Sequence, residues 1–146
     1  MSEGKVEAIY IGPERKAPMR LAATVQAVAG KGLVGDRYWQ KGALDTEITL
    51  IEGEAIDAAT RDEDVTISAS ETRRNIVTRG VALNHLVGQE FRIGTVRLRG
   101  IRVCEPCGHL EALTRAGVRL ALLHRGGLRA QILDGGDLHV GDPVGV

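Results

Sequence analysis

Two cysteines, Cys104 and Cys107, lie three positions apart in the segment 103–109. They follow a strand-like run and precede a helical one, so the second thiol would lie near a helix N-terminus, where the dipole favours thiolate. A thiolate is the useful species for nucleophilic attack, sulfur transfer or metal ligation. The segment therefore favours one functional thiol supported by its neighbour, beside the structural alternative of two inert buried cysteines.

Two other chemistries of a Cys-x-x-Cys pair fit the surrounding sequence less well. A thioredoxin-like dithiol needs a βαβ context, whereas the residues before Cys104 have the pattern of a β-meander. A structural zinc site needs two more ligands at matched spacing, and only His109 lies near the cysteines.

A second candidate site consists of Arg73, Arg74 and Asn75, which stand directly before the strand-like residues 76–80. Guanidinium and amide donors can hold a phosphate or carboxylate with bidentate geometry. Because successive strand residues point to opposite faces, we expect at most one of the two arginines to share a pocket with Asn75. The structural alternative is a surface turn with solvated arginines.

Two glycine-rich segments can bring the backbone close to a ligand. Gly126–Gly127 follow Arg125, which could supply an anion contact, although a helix C-cap explains these glycines equally well. Residues 30–35 match the pattern G-x-G-x-x-G, but no apolar stripe of helical period follows them. We therefore interpret them as a glycine-rich turn that places Asp36 and Arg37.

The composition limits the classes of function. The chain has 146 residues, 43% of them hydrophobic, and 19 Lys+Arg balance 19 Asp+Glu. This predicts one domain over residues 1–146. Zero net charge with 3% aromatic residues argues against a nucleic-acid partner. The sequence has no run of about 18 apolar residues, so no membrane span is predicted. The N-terminus lacks the apolar region of a secretory signal, so we expect a cytoplasmic protein with reduced thiols.

Short apolar runs of period two, separated by glycines, predict mainly strands in a barrel or sandwich. The clearest signal is the six-residue spacing of Gly88, Gly94 and Gly100, which predicts a tightly turned antiparallel meander with these glycines between the strands. Further strands are predicted at 6–11, 21–29, 47–51, 128–133 and 138–144. Helices are predicted at 54–61, 82–87 and 109–124, the last broken at Gly117.

Several of these segments resemble, in order, the landmarks of the MOSC family, the domain found at the C-terminus of molybdenum cofactor sulfurases. They are residues 32–38, 48–51, 73–77 with Gly80, 86–88, 91–94, Cys107 after Pro106, 125–128, 135–136 and 141–142. The resemblance covers nearly the full chain. It implies a small stand-alone MOSC domain that is mainly β, built on a closed or partly closed, pyruvate-kinase-barrel-like β-barrel with a few short helices.

The resemblance also implies site residues. Cys107 matches the family's functional thiol, which would carry sulfur as a persulfide for maturation of a metal–sulfur centre or ligate the molybdenum of a bound molybdenum cofactor (molybdopterin). Cys104 is an extra thiol that the resemblance does not assign; it could resolve a persulfide on Cys107 by forming a disulfide. The residues assigned to cofactor binding are Arg73, Arg74, Asn75, Arg125, Gly126, Gly127, Asp36 and Arg37.

These assignments leave the activity open between a sulfur transferase or carrier and a component of a molybdenum-cofactor-dependent reductase. Pyridoxal phosphate is not expected in this domain. A cysteine desulfurase would be the sulfur donor or a molybdoenzyme the acceptor, with no nucleic-acid or membrane partner. Two alternatives belong to other classes: a non-catalytic module that binds an anion or a partner protein, and a small thiol redox protein with a reversible Cys104–Cys107 disulfide.

Overall fold

The computed structural model describes residues 4–106 and 108–146, with the backbone but not the side chain of His109. Within these residues, seven strands form a closed barrel, β2 extends it beside β1, and three strands form a small second sheet. The strands are β1 (Gly4–Ile11), β2 (Arg20–Ala22), β3 (Thr24–Val28), β4 (Gly32–Leu33), β5 (Ile48–Glu52), β6 (Ile76–Arg79), β7 (Glu90–Ile93), β8 (Val96–Val103), β9 (Leu128–Asp134), β10 (Gly136–His139) and β11 (Pro143–Gly145). The helices are α1 (Gly53–Glu63), α2 (Gly108–Leu113) and α3 (Val118–Ala121), and 3₁₀ turns span Leu44–Thr46, Ser70–Thr72 and Leu83–Leu86.

The barrel closes between its first and last strands. Its order is β11, β7, β8, β9, β5, β6 and β1, and β1 pairs again with β11, so that Gly4 faces Val144 and Lys5 faces Pro143. Neighbouring strands run antiparallel, apart from β5 and β6, which are parallel and are connected by a crossover that contains α1. Closure removes the two open edges that a flat sheet would leave.

Alternation along the strands places one row of side chains inside the barrel. Along Leu128–Asp134, for example, every second residue is buried until the strand ends. Tightly packed apolar residues fill the interior, including Ile9, Leu50, Ile76, Phe91, Ile93, Leu98, Leu128 and Ile132. A smaller core, containing Ile51, Val77, Leu110, Val118 and Leu122, lies between the helices and the outer face of the sheet.

The prediction of a mainly β, closed barrel with short helices is confirmed. Of the predicted meander, the hairpin of β7 and β8 around Gly94 is present, whereas its predicted second and third strands are the single continuous strand β8. The predicted position of Gly100 between two strands is wrong, because Gly100 lies inside β8 beside a register shift. A Cβ there would lie 2.0 Å from the carbonyl oxygen of Leu86. Gly100 O accepts a hydrogen bond from Gly88 N at 2.8 Å. Glycine is needed here for close approach of two backbones.

Two predicted strands are each divided in the structure. The segment 138–144 forms the end of β10 and the start of β11, which belong to different sheets. Likewise 21–29 becomes β2, paired with β1, and β3, paired with β10 and β4. In both cases the chain changes sheet within a few residues, and the apolar pattern does not reveal which partner a strand will take.

The helical predictions agree with the structure in two of three places. Helix α1 covers the predicted residues 54–61, and the predicted break at Gly117 separates α2 from α3, where Gly117 has φ of 93°. The third, 82–87, is a short 3₁₀ turn. Within residues 4–106 and 108–146, each helix is too short or too polar to cross a bilayer.

The close approach at Gly100 gives a prediction about stability. We expect Gly100→Ala to lower the free energy of unfolding by about 3 kcal/mol, since the added methyl group overlaps a backbone carbonyl. Gly30→Ala is the matched control, because Gly30 has φ of 76° with open space around it and should lose only about 1 kcal/mol from its backbone conformation. Urea unfolding measures both, and equal losses would contradict this account of β8.

Candidate functional site: an arginine-lined cleft

A buried amide at the start of β6 connects several parts of the barrel. Asn75 Oδ1 accepts hydrogen bonds from Thr49 N and Thr49 Oγ1, both at 3.1 Å. Asn75 Nδ2 donates to Tyr10 O at 3.1 Å and to Asp36 Oδ1 at 3.2 Å. These bonds use both lone pairs and both donors of the amide. They therefore fix β1, β5 and the loop that carries Asp36 relative to β6.

Asp36 is the acceptor at the other end of this network. Its carboxylate is buried and accepts hydrogen bonds from Gly12 N at 2.9 Å and from Tyr38 N at 3.4 Å, besides the one from Asn75. The residues after the 30–35 segment form turns and no helix follows them, so the segment lacks the context of a dinucleotide fingerprint. Turns lie on either side of the short strand β4, so the predicted glycine-rich turn that places Asp36 is present after Leu33, while Gly32 and Leu33 themselves are paired with β3.

Arg73 holds the loop 13–18 against the barrel. It adopts the left-handed conformation, with φ of 61°, directly after a 3₁₀ turn. Its Nη1 donates to Ala17 O at 2.7 Å, and its Nη2 donates to Arg15 O at 2.7 Å and Glu14 O at 3.3 Å. One guanidinium thus contacts three carbonyl oxygens of the same loop, which fixes the backbone from which Arg15 extends.

Arg74 is buried and contacts the segments on either side of α2 and α3. Its Nε donates to Gly126 O at 2.7 Å and its Nη2 to Cys104 O at 3.4 Å. A Cβ on Gly126 would lie 2.4 Å from Cys104 O, and one on Gly127 would lie 2.1 Å from Leu50 O. The paired glycines therefore allow segments of this chain to pack closely against each other.

The other two arginines singled out in the sequence have different surroundings. The Arg37 guanidinium lies 4.6 Å from the centre of the Tyr38 ring, an attractive cation–π arrangement. Arg125 donates from Nε to Ala121 O at 2.7 Å and forms an ion pair with Asp62 at 3.2 Å. Arg125 does not line the cleft described next, so its assignment to cofactor binding stays a prediction.

Five arginines converge on one cleft of about 130 Å³, which we call the arginine-lined cleft. Among the described residues, no Asp or Glu lines it. Its walls are Arg15, Arg37, Arg73, Arg74 and Arg129, with Tyr38 and Leu110. Such a concentration of positive charge in a concave site attracts anions.

The hydrogen bonds of Arg73 and Arg129 go to backbone carbonyl oxygens, which orient the two guanidinium groups but add no negative charge. Burial, followed by repulsion from Arg37, lowers the pKa of the Arg73 guanidinium below its ordinary value. Arg129 Nη1 donates to Asp45 O at 3.1 Å, and its buried Nε has no hydrogen-bond partner in the described part of the chain. Arginines elsewhere on the barrel instead pair with carboxylates, as in Arg79, Arg97, Arg102 and Arg115.

The structure brings together some of the predicted site residues. Arg37, Arg73 and Arg74 line the cleft, whereas the side chains of Asp36 and Asn75 are engaged in the hydrogen-bond network with the protein itself. The binding roles assigned to these residues, and to Gly126 and Gly127, stay predictions.

The structure describes only one of the two cysteines. Cys104 is a free thiol with 1% of its surface exposed. Cys107 lies outside the described residues, so its predicted role as the functional thiol is untested. The described residues contain no cluster of three or more His, Cys, Asp or Glu side chains that could hold a metal ion.

Sequence reasoning missed two of the five arginines of the cleft, Arg15 and Arg129. Arg15 lies among charged residues with the pattern of a solvated loop, and Arg129 is the second residue of an ordinary strand. Strand pairing places Arg129 opposite Thr49, a partner of Asn75, and Arg73 holds the backbone of Arg15. Both placements depend on contacts between distant parts of the chain, for which the local sequence has no signal.

The fold and the site together define a small closed β-barrel protein with a cationic cleft. The chain belongs to the MOSC domain family, whose family model matches residues 37–145. No curated protein matches the chain.

Solved structures with little sequence identity share the fold. The YUAD protein from Bacillus subtilis has a TM-score of 0.78 at 17% identity, with 98% of this chain and 94% of that chain covered. YiiM from Geobacillus stearothermophilus has a TM-score of 0.76 at 16% identity, covering 97% of this chain and 74% of that one. YiiM from Escherichia coli has a TM-score of 0.67 at 14% identity, covering 97% and 68%.

The hydrogen bonds of Asn75 predict a pH-dependent effect. We expect Asn75→Asp to lower the free energy of unfolding on the order of 3 kcal/mol at neutral pH, because it removes two donors and places a second carboxylate beside Asp36. Repulsion from Asp36 would raise the pKa of the introduced carboxyl in the folded protein. The loss should therefore be complete above that raised pKa and shrink as the pH falls and the carboxyl is protonated.

Urea unfolding over a range of pH, with the wild type measured at each pH, checks this expectation. Asn75→Ala is the matched control, since it also removes the four side-chain hydrogen bonds but adds no titratable group. Its deficit should not change with pH. If the deficits of the two variants vary with pH in the same way, the proposed contact between residue 75 and Asp36 is not the cause.

Proposed function

We propose that this chain binds the molybdenum cofactor, with the arginine-lined cleft holding the cofactor's phosphate and Cys107 supplying a thiolate ligand to the metal. The observation that carries the proposal is the meeting of five guanidiniums in a cleft lined by no carboxylate among the described residues. Guanidinium groups bind phosphate oxygens in a bidentate manner, and such charge-assisted bonds are about twice as strong as neutral ones.

The size of the cleft supports a phosphate group as its occupant. Sites for whole small molecules measure roughly 300–1,000 Å³, and this cleft measures about 130 Å³. It can hold one charged group of a larger ligand whose remainder extends outside. The protein itself leaves one donor of Arg129 unused, since its buried Nε has no hydrogen-bond partner among the described residues.

The role of Cys107 is supported by its place in the sequence and by the family. Three residues before it, Cys104 O accepts a hydrogen bond from Arg74, and three residues after it, Leu110 lines the cleft. A thiolate is among the soft ligands that suit such a metal. When bound, the cofactor supplies the redox chemistry of molybdenum, while the arginines bind and orient its phosphate.

A persulfide carried by Cys107 is the second candidate, because Cys104 supplies a free thiol three positions away in the sequence. Attack of the Cys104 thiolate on the inner sulfur of a Cys107 persulfide forms a disulfide. The outer sulfur leaves as hydrosulfide, so atoms and electrons balance. A cysteine desulfurase would supply the sulfur and a molybdoenzyme would accept it.

Metal, pterin and mass analysis of the purified chain tests the proposal. After incubation with the cofactor, we expect the wild type to retain molybdenum and pterin, and Cys107→Ser to lose the molybdenum.

We expect Arg129→Gln to weaken phosphate binding about 10-fold by calorimetry, because it removes one charge-assisted contact. Arg99→Gln is the matched control, since Arg99 is exposed on β8 outside the cleft and should bind phosphate as the wild type does.

Three results separate the candidates. Retained molybdenum and pterin support cofactor binding. A mass gain of one sulfur atom on Cys107 after treatment with a cysteine desulfurase, without bound molybdenum, supports the persulfide carrier instead. If the wild type shows neither, and Arg129→Gln binds phosphate as tightly as the wild type, both candidates fail.

A further inference from the structure

A second, wider cavity continues from the arginine-lined cleft. Its volume is about 740 Å³, and it shares Arg15, Arg37 and Tyr38 with the cleft. A volume of roughly 300–1,000 Å³ is typical of sites for whole small molecules. Because the two cavities share three lining residues, a single ligand can occupy both.

The wide cavity has cations of its own for a second anionic group. Lys41 lines it together with Arg15 and Arg37. Within residues 4–106 and 108–146, neither Arg15 nor Lys41 forms an ion pair, and Arg37 lies 3.6 Å from a carboxylate that already accepts three other hydrogen bonds. Arg15 and Arg37 stand where the cavities meet, so an anion that links two parts of a ligand would lie between them.

A carboxylate on the same wall argues against a simple polyanion as the whole ligand. Glu14 lines the wide cavity but not the arginine-lined cleft, and its backbone is held by Arg73. An ionised carboxylate can only accept hydrogen bonds, so it repels phosphate and suits hydroxyl donors. In dinucleotide-binding sites an acidic side chain binds ribose hydroxyls in this way.

An aromatic ring at the junction suits a planar group. Only 3% of the residues are aromatic, yet Tyr38 lines both cavities and its ring contacts the Arg37 guanidinium. Nucleic-acid bases stack on tyrosine rings and on guanidinium planes. One ring is enough for a single base, although the chain lacks the aromatic surface that a polynucleotide needs.

We infer that the wide cavity binds a nucleoside that is joined through phosphate to the group held in the arginine-lined cleft. The inference rests on the proposed function of that cleft and adds a nucleotide extension to the ligand. Arg15, Arg37 and Lys41 bind the linking phosphate, Glu14 accepts hydrogen bonds from the ribose, and Tyr38 stacks on the base.

Calorimetry of the whole chain with three probes tests this assignment. The probes are inorganic pyrophosphate, ADP and 2′,3′-dideoxy-ADP, of which ADP adds a ribose and a base to two phosphates. We expect ADP to bind the wild type about 10-fold more tightly than pyrophosphate does, and more tightly than its dideoxy analogue. Tyr38→Ala should lower the ratio of ADP to pyrophosphate affinity by most of that factor and leave the ratio of ADP to dideoxy-ADP affinity unchanged, because it removes the stacking but not the ribose contacts.

Two further variants separate the roles of the polar residues. Glu14→Gln should reduce the preference for ADP over dideoxy-ADP. The change in overall charge affects the two ligands equally and therefore does not alter the ratio of their affinities. Lys41→Met should weaken ADP and pyrophosphate equally. Lys5→Met is the matched control for lysine removal, because Lys5 is exposed on β1 outside both cavities and should leave all three affinities unchanged. Thermal unfolding of each variant verifies that it is folded.

The outcomes distinguish this inference from the proposed function. If pyrophosphate binds but ADP and dideoxy-ADP bind no more tightly, the nucleoside site is wrong and the phosphate cleft stands. An ADP-to-pyrophosphate ratio that Tyr38→Ala leaves unchanged also overturns the site. If none of the probes binds, the anion cleft fails, and the nucleoside site fails with it.

Discussion

The amide of Asn75 joins parts of the chain that are far apart in sequence: Tyr10 in β1, Thr49 in β5, and Asp36 in the loop after β4. Strands β5 and β6 form the one parallel pair of the described barrel, and Asn75 lies just before β6 where this pair begins. The fixed position of Asn75 also fixes the backbone of the two residues that precede it. Since Arg74 and Arg73 are those residues, the interior hydrogen bonds of the barrel set the geometry of the arginine-lined cleft.

The zero net charge of the chain conceals a strong separation of charge. Exposed arginines on other faces pair with nearby carboxylates, and such pairs contribute little to stability in water. Arg73 and Arg129 instead donate to neutral carbonyl oxygens, which hold a guanidinium in place but leave its charge uncompensated. Keeping like charges close together costs free energy, and an anion bound in the cleft would offset that cost. Preorganised donors of this kind need little rearrangement when the ligand arrives.

Local pattern was sufficient for most of the strands and for part of the cleft, whereas the choice of a barrel over a sandwich came from the family resemblance. Alternating residues predicted the strands, since the inside and outside of a barrel impose period two on each of them. The same pattern did not reveal that the chain changes sheet between Ala22 and Thr24, because the choice of partner is set by distant strands. Adjacency in sequence identified Arg73 and Arg74. Arg15 and Arg129 reach the cleft only through the folded barrel, and no motif surrounds them.

The pairing of β1 with β11 has a consequence for how the protein is made. Gly4 pairs with Val144, so one of the seven strand pairings that close the barrel joins residues near the two ends of the described chain. Contacts between such distant residues slow folding, because a long loop must close before they form. While the polypeptide is being synthesised, one edge of β7 stays unpaired, and so does the start of β1 at Gly4 and Lys5, beyond the residues that β2 covers. Free strand edges invite association with other chains. Among the described strands, β11 leaves the ribosome last, and it covers both edges.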